Sequence, residues 1–182
     1  MQEKIFSDLS IFSKPLTKCP LCKGSNLKFH YIIEKFNPHF KVNKCSGCGF
    51  IFMNPRFRDN ILKDLYSENY YSGKAEYSYY DERDAEKYSQ YVWKKRIQTI
   101  KRYSDGGNFM DVGCAFGGFL KTASEYYTPF GIELSEYSGA HAKSLFGSNI
   151  HIGSLADHPF NSDFFSVITM IELLEHIQQT IN

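Results

Sequence analysis

The apolar and polar positions change period along the chain. Up to about Arg58, short runs such as KFHYII and GFIFMNP alternate with the two-residue period of strands, with turn residues between them. The stretch from 59 to 105 is polar and Tyr-rich. From Asp81 it becomes helical: Ala85, Tyr88, Val92, Trp93, Ile97 and Ile100 recur at three- and four-residue spacing. Asp81, Glu82 and Asp84 at its start and Lys101 and Arg102 at its end complement a helix dipole, and Gly106-Gly107 stops it. From Asn108 onward strand-like and helix-like stretches take turns. NFMDV reads as a strand, Gly117 to Tyr127 as a helix, PFGIEL as a strand and Glu136 to Phe146 as a helix. NIHIG and FFSVITM are two more strands, and IELLEHIQQ begins a helix. Strands alternating with helices predict an α/β fold with a parallel sheet and crossover helices. The expected organisation is a small cysteine-bearing domain over 1–58, a linker and helix over 59–105, and the α/β segment over 106–182.

The first segment carries two C-x2-C knuckles, Cys19-Pro-Leu-Cys22 and Cys45-Ser-Gly-Cys48, with 22 residues between them. Two residues between cysteines let both thiolates of a tight turn face one ion. Gly24 and Gly49 follow each knuckle closely and let backbone amides approach the sulfurs. Two such turns supply the tetrahedral four-sulfur set that Zn²⁺ prefers. With all four positions filled by thiolate no site is open to water, so the expected role is a structural zinc ribbon held by Cys19, Cys22, Cys45 and Cys48. Disulfides or free thiols are the competing reading.

Composition sets outer limits. The chain has 182 residues, 42% apolar and 16% aromatic, which argues against wholesale disorder. No apolar run approaches the ~20 residues of a membrane helix, and the N-terminus lacks the apolar core of a secretory signal. A reducing cytoplasm is the expected compartment, where cysteines are more often ligands than bridges. The formal net charge of +1 hides an asymmetry. Residues 1–58 hold ten Lys/Arg against three Asp/Glu (+7), and 59–182 hold eleven against seventeen (−6). The basic portion can attract nucleic acid or another anion, or it is simply a solvated face. Nucleic acid is therefore a possible partner but not the favoured one.

The main chemical signal is Asp111-Val-Gly113-Cys-Ala115-Phe-Gly117-Gly118. A short strand ends on a carboxylate, and a glycine-rich turn opens the next helix, exposing backbone close to a ligand. Glu133 stands 22 residues after Asp111, at the end of the next strand, where a carboxylate can accept hydrogen bonds from both hydroxyls of a ribose. Gly113-x-Ala115-x-x-Gly118 is also nearly the dinucleotide fingerprint, so an NAD-dependent enzyme is an alternative. A carboxylate directly before the loop suits a ligand with a cationic amino group better than a pyrophosphate.

The runs CPLCKG…CSGCGFIFMNPR, LYSENYYSG, MDVGCAFGGFL, GIELSE and FFSVITMIELLEHI, in that order, resemble the class I S-adenosylmethionine-dependent methyltransferases, in particular members with an N-terminal zinc ribbon. The resemblance spans nearly the whole chain. It implies the N-terminal half of a Rossmann-like doubly wound parallel sheet, preceded by a zinc ribbon and a helical linker. It further implies that Asp111 and the backbone of Gly113 and Ala115 hold the methionine end of S-adenosylmethionine. Glu133 would bind the ribose, Leu134 would lie against the adenine, and Ser154 and Leu155 would meet the adenine edge. Ile171, with Glu172, would line the methyl pocket. His176 of the LEH element is a candidate general base, with helix capping or packing as the alternative. Several such proteins methylate sugars, often on nucleotide carriers, so a small-molecule acceptor is expected. Ala115 departs from the commoner glycine, and Ser166 stands where an Asp often opens the fourth strand. Cys114 reads as a small loop residue.

Tyr66 to Tyr80 reads as a linker that doubles as a lid. The chain ends just after the fourth strand, where doubly wound sheets ordinarily continue. This predicts a C-terminally truncated core, with Phe164 to Met170 at an open sheet edge and a tendency to self-associate there. A zinc-ribbon binding module carrying a non-catalytic fold fragment is the competing function.

Overall fold

The computed structural model describes residues 9–35, 38–74 and 81–177. The chain forms two compact units, one from the residues up to Asp64 together with Ile177, the other Leu65–His176.

In the first unit, β1 (Leu27–Ile33), β2 (Phe40–Cys45) and β3 (Ile51–Met53) form an antiparallel meander in that order. The two expected strand runs are both present. A bridge between Phe12 and Phe57 closes the unit, and their rings stack at 5.3 Å with Phe40 edge-on to both. Buried Asn54 replaces a missing ladder rung: its carboxamide accepts from the Leu16 amide at 2.7 Å and donates to the Leu16 carbonyl at 3.0 Å. This small aromatic core supports a sheet that is thin on one side, for β1 is exposed along most of its length.

The second unit is built on four parallel strands, β4 (Asn108–Val112), β5 (Thr128–Glu133), β6 (Ile150–Ile152) and β7 (Val167–Thr169), in the order β6-β5-β4-β7. The expected α/β parallel architecture is therefore observed. Side chains of β4 alternate between two apolar clusters. Phe109 joins Trp93, Ile97, Phe119, Leu120 and Tyr127, whereas Met110 and Val112 join Ile132. Burial on both faces is what a parallel sheet with helical crossovers requires. The crossovers are α4 (Gly118–Ala123) and α5 (Glu136–Phe146). Helix α3 (Glu86–Ile100) presents Trp93 and Ile97 to the same core, as its sequence period predicts. Gly118 is small because the indole of Trp93 fills the space where its Cβ would stand, about 2.3 Å away. Gly118→Ala should therefore cost on the order of 1–3 kcal/mol by overpacking. Thermal unfolding measures it, and Gly118→Ala combined with Trp93→Leu should recover part of the loss.

Several boundaries differ from the sequence expectation. Helix α4 stops at Ala123, not Tyr127, because the chain turns there to bury Tyr127, whose hydroxyl donates to the Ser104 carbonyl at 2.7 Å. The last strand pairs only over Val167–Thr169. Upstream of it, Phe164 and Phe165 cluster edge-to-face with Phe130. The helix expected from Ile171 is not formed over the described residues. Glu172 takes a left-handed φ of 52°, and a single turn closes from the His176 amide to the Leu173 carbonyl. The rest of that expected helix lies outside the described residues. The segment read as linker contains α1 (Asp59–Leu65) and α2 (Glu68–Tyr71), which had not been anticipated. Among the described strands β7 lies at a sheet edge, as expected.

Candidate functional site

The carboxyl ends of β4 and β5 bring the glycine-rich loop and two buried carboxylates together. The loop is a chain of close backbone bonds. The amides of Gly113 and Cys114 both donate to the Ile132 carbonyl, at 2.8 and 3.1 Å, and Gly117 donates to Cys114 at 2.8 Å. Gly113 and Gly117 take φ values of 82° and 84°, and Ala115 takes 46°. An L-residue held there costs roughly 1 kcal/mol relative to glycine. The Ala115 amide donates to Glu133 Oε2 at 2.8 Å, and the Ser135 amide donates to Oε1 at 2.8 Å. Glu133 therefore latches the loop to the turn after β5. Burial nonetheless raises its carboxyl above the ordinary range.

Asp111 is buried beneath the loop and accepts from the Thr169 hydroxyl at 2.6 Å, which ties β4 to β7. Desolvation outweighs that bond and pushes its carboxyl up to about 7. A third carboxylate comes from the segment before α3. Glu82 accepts from the Gly118 amide at 3.3 Å, and burial likewise raises it to about 7, aided by the charges of Asp81 and Glu133. Sequence reasoning missed Glu82, which it had placed only as a helix-dipole charge. It missed Arg83 as well, whose guanidinium lies 4.2 Å over the Phe116 ring and pairs with Asp81.

The amides of Gly113 and Ala115 are thus committed to protein acceptors. No described residue donates to their carbonyls. The loop is walled by three carboxylates, Asp111, Glu133 and Glu82. Such a wall opposes a pyrophosphate and suits a cation.

The other sequence-derived positions are placed as follows. Leu134 is half-buried next to Glu133. Ser154 donates to Asp157 at 3.0 Å and accepts from the Ala156 amide. Leu155 packs on Met110, Val112 and Ile132, and Ile171 packs on the Trp93 cluster. Exposed His176 has its Nδ1 3.0 Å from the Tyr66 hydroxyl. Tyr71 is buried, 5.0 Å from Phe116 and hydrogen-bonded by the Ser138 hydroxyl, while residues 75–80 of the expected lid lie outside the described residues. Buried Cys114 has its thiol raised well above the ordinary value by desolvation, which leaves it unreactive.

In the first unit the four cysteine sulfurs lie within 4.8 Å of one another, with Cys19–Cys48 and Cys22–Cys45 each at 3.6 Å. A tetrahedron with metal–sulfur bonds of about 2.3 Å has edges of about 3.8 Å, so the set fits Zn²⁺. The amides of Cys48 and Gly47 lower the Cys45 thiol to about 7, while burial and the neighbouring thiols push Cys48 up to about 12. All four cysteines are unbridged.

Residues 110–181 match a family described as "Methyltransferase domain". This match lies almost wholly within the α/β segment of the second unit. Among solved structures, a phosphoethanolamine N-methyltransferase 2 from Haemonchus contortus, in complex with S-adenosyl-L-methionine, is similar at 15% identity and a TM-score of 0.38. The match covers 76% of this chain and 39% of that protein, so the chain spans well under half its length. No curated protein matches the chain. Among the described residues no helix is long and apolar enough to cross a membrane.

Proposed function

We propose that the chain binds S-adenosylmethionine at the Gly113–Gly118 loop and serves methyl transfer to a small-molecule acceptor, with a structural zinc in the first unit. The observation that carries the cofactor reading is the charge of the loop's surroundings. Asp111, Glu82 and the carbonyls of Gly113 and Ala115 suit the ammonium of the methionine end, and Glu133 suits the ribose. Bound S-adenosylmethionine supplies a sulfonium-activated methyl group. The chain's own work is positioning, which accounts for most of the acceleration in such transfers, together with removal of the acceptor's proton by His176. Sugars and nucleotide sugars are the first acceptors to assay, on the resemblance quoted above.

Titration calorimetry with S-adenosylhomocysteine, NAD and a short oligonucleotide is the test. S-adenosylhomocysteine should bind and NAD should not. Tighter binding of NAD would sink the reading. The affinity for S-adenosylmethionine should also rise between pH 6 and 8. Asp111 and Glu82 are both held near about 7, so each gains its full charge only above neutrality. The same shifts act on stability in the opposite sense. A carboxyl whose folded value is raised from about 4 to about 7 makes the unliganded fold less stable as pH climbs through that window. The oligonucleotide arm addresses a second reading, in which the basic first unit is a binding module. In its favour, Lys28 and Lys44 face each other on adjacent strands, both exposed, where an anion would relieve their repulsion.

A further inference from the structure

We infer that Thr169 is a positioning residue for Asp111: its hydroxyl donates to Oδ1, favours the charged carboxylate and leaves Oδ2 for the cation of a ligand. The ligand half of this inference rests on the cofactor reading proposed above; the carboxylate half does not. Thr169 ends β7, and Asp111 stands one residue before the end of β4. The two are partners across the parallel ladder, although 58 residues separate them in sequence.

Thr169 has one hydroxyl proton and two acceptors within reach, Asp111 Oδ1 at 2.6 Å and the Met110 carbonyl at 3.2 Å. A carboxylate accepts hydrogen bonds and cannot donate them. When Asp111 is ionised, the bond to Oδ1 therefore has one direction, from hydroxyl to carboxylate. When Asp111 is protonated, its own proton can fill that contact, and the threonine proton turns to Met110. The charge-assisted bond from the hydroxyl exists in the ionised form alone. The hydroxyl thus lowers the pH at which this carboxyl ionises.

The surroundings of Asp111 otherwise oppose its charge. It is buried, and it is faced by Glu82 from the segment before α3 and by Glu133 from the end of β5. Arg96 of α3 is the cation that acts on it, and the buried Cys114 thiol of the loop is held neutral. Among the described residues Thr169 is the hydrogen-bond donor to the Asp111 side chain, and Oδ2 accepts from none of them. A buried carboxylate oxygen without a donor is costly until one arrives. An ammonium supplies both the donor and the opposite charge. Thr169 fixes one oxygen of the carboxylate, and the ligand takes the other.

The test is carbon-13 NMR of the aspartate carboxyls across pH in the full, unliganded chain. It compares wild type, Thr169→Val, Thr169→Ala and Thr169→Ser, with Asp111→Asn for assignment. Valine removes the hydroxyl and keeps the branched shape that strands favour, and alanine removes it in a smaller side chain. The Asp111 carboxyl should titrate about one pH unit higher in both hydroxyl-free variants and return to its wild-type midpoint in Thr169→Ser. Calorimetric affinity for S-adenosylhomocysteine in Thr169→Val should then fall about fivefold relative to wild type at pH 7 and stay within about twofold of it at pH 9. An Asp111 titration unchanged in both hydroxyl-free variants, or not restored by serine, would overturn the inference. A moved titration with the same affinity ratio at pH 7 and pH 9 would overturn its ligand half. Failure of the wild type to bind S-adenosylhomocysteine would instead overturn the cofactor reading, and the unliganded titration still decides the carboxylate half.

Discussion

Removing the zinc proposed for Cys19, Cys22, Cys45 and Cys48, by chelation or by Cys45→Ser, should unfold the first unit and leave the second one folded. Among the described residues up to Asp64, the apolar core is little more than Ile11, Phe12, Phe40, Val42, Phe52 and Phe57. β1 adds almost no burial, since its residues are exposed along most of its length. A unit this small gains about 10 kcal/mol or more from a structural zinc, which exceeds the whole stability of an ordinary domain of its size. Both buried ligands, Cys19 and Cys45, anchor backbone turns: Cys19 donates its amide to Gly24 and Cys45 donates to Phe50. Loss of the metal therefore releases two turns at once. Elemental analysis of protein purified without chelator should give one zinc per chain. Amide exchange should then show protection lost up to about Asp64 in Cys45→Ser and retained in β4 and β5. Protein with no metal and an intact first unit would refute the site.

The second large effect is on the cofactor. Glu133→Ala should weaken S-adenosylmethionine binding on the order of a hundredfold or more, and Ser154→Ala only a few-fold. A charged acceptor is worth about 1.5–3 kcal/mol per bond, and a neutral one about 1. The two positions also differ in what they support. Glu133 holds the Ala115 and Ser135 amides, so its loss frees the left-handed turn at Ala115 and the start of α5 together with the ribose acceptor. The Ser154 hydroxyl is spent on exposed Asp157. Calorimetric titration of both variants decides it, and equal affinities would show that the ribose assignment is wrong.

The first two strands of the sheet were legible because they are short apolar runs ending one residue past Asp111 and at Glu133, and glycines follow the first of them in a tight turn. The two knuckles were legible because ligand spacing is local. What stayed hidden was long-range or short. Glu82 reaches the Gly118 amide across 36 residues, and nothing near it in sequence distinguishes it from Asp81 or Asp84. The Tyr66–His176 contact has the same character. Helices α1 and α2, of seven and four residues, are too brief for a 3.6-residue period to show. Over the described residues after Ile171 no helix forms although IELLEHI has helical spacing, because the backbone at Glu172 is left-handed. The apolar face there is used instead by Ile171 and Leu173, which cover the core from an irregular segment.

The committed amides of the glycine-rich loop have a consequence for the order of events. A loop walled by carboxylates would bind the proposed S-adenosylmethionine by charge, and that charge would change in the proposed methyl transfer. The sulfonium is positive before transfer and a neutral thioether afterwards. The ammonium is kept, so in this reading Asp111 and Glu82 would hold both forms, with the lost sulfonium charge making their attraction somewhat weaker for the spent cofactor than for the fresh one. Exchange of product for new cofactor would then be favoured without any moving part, and S-adenosylhomocysteine should bind more weakly than S-adenosylmethionine above neutral pH, where both carboxylates are fully charged.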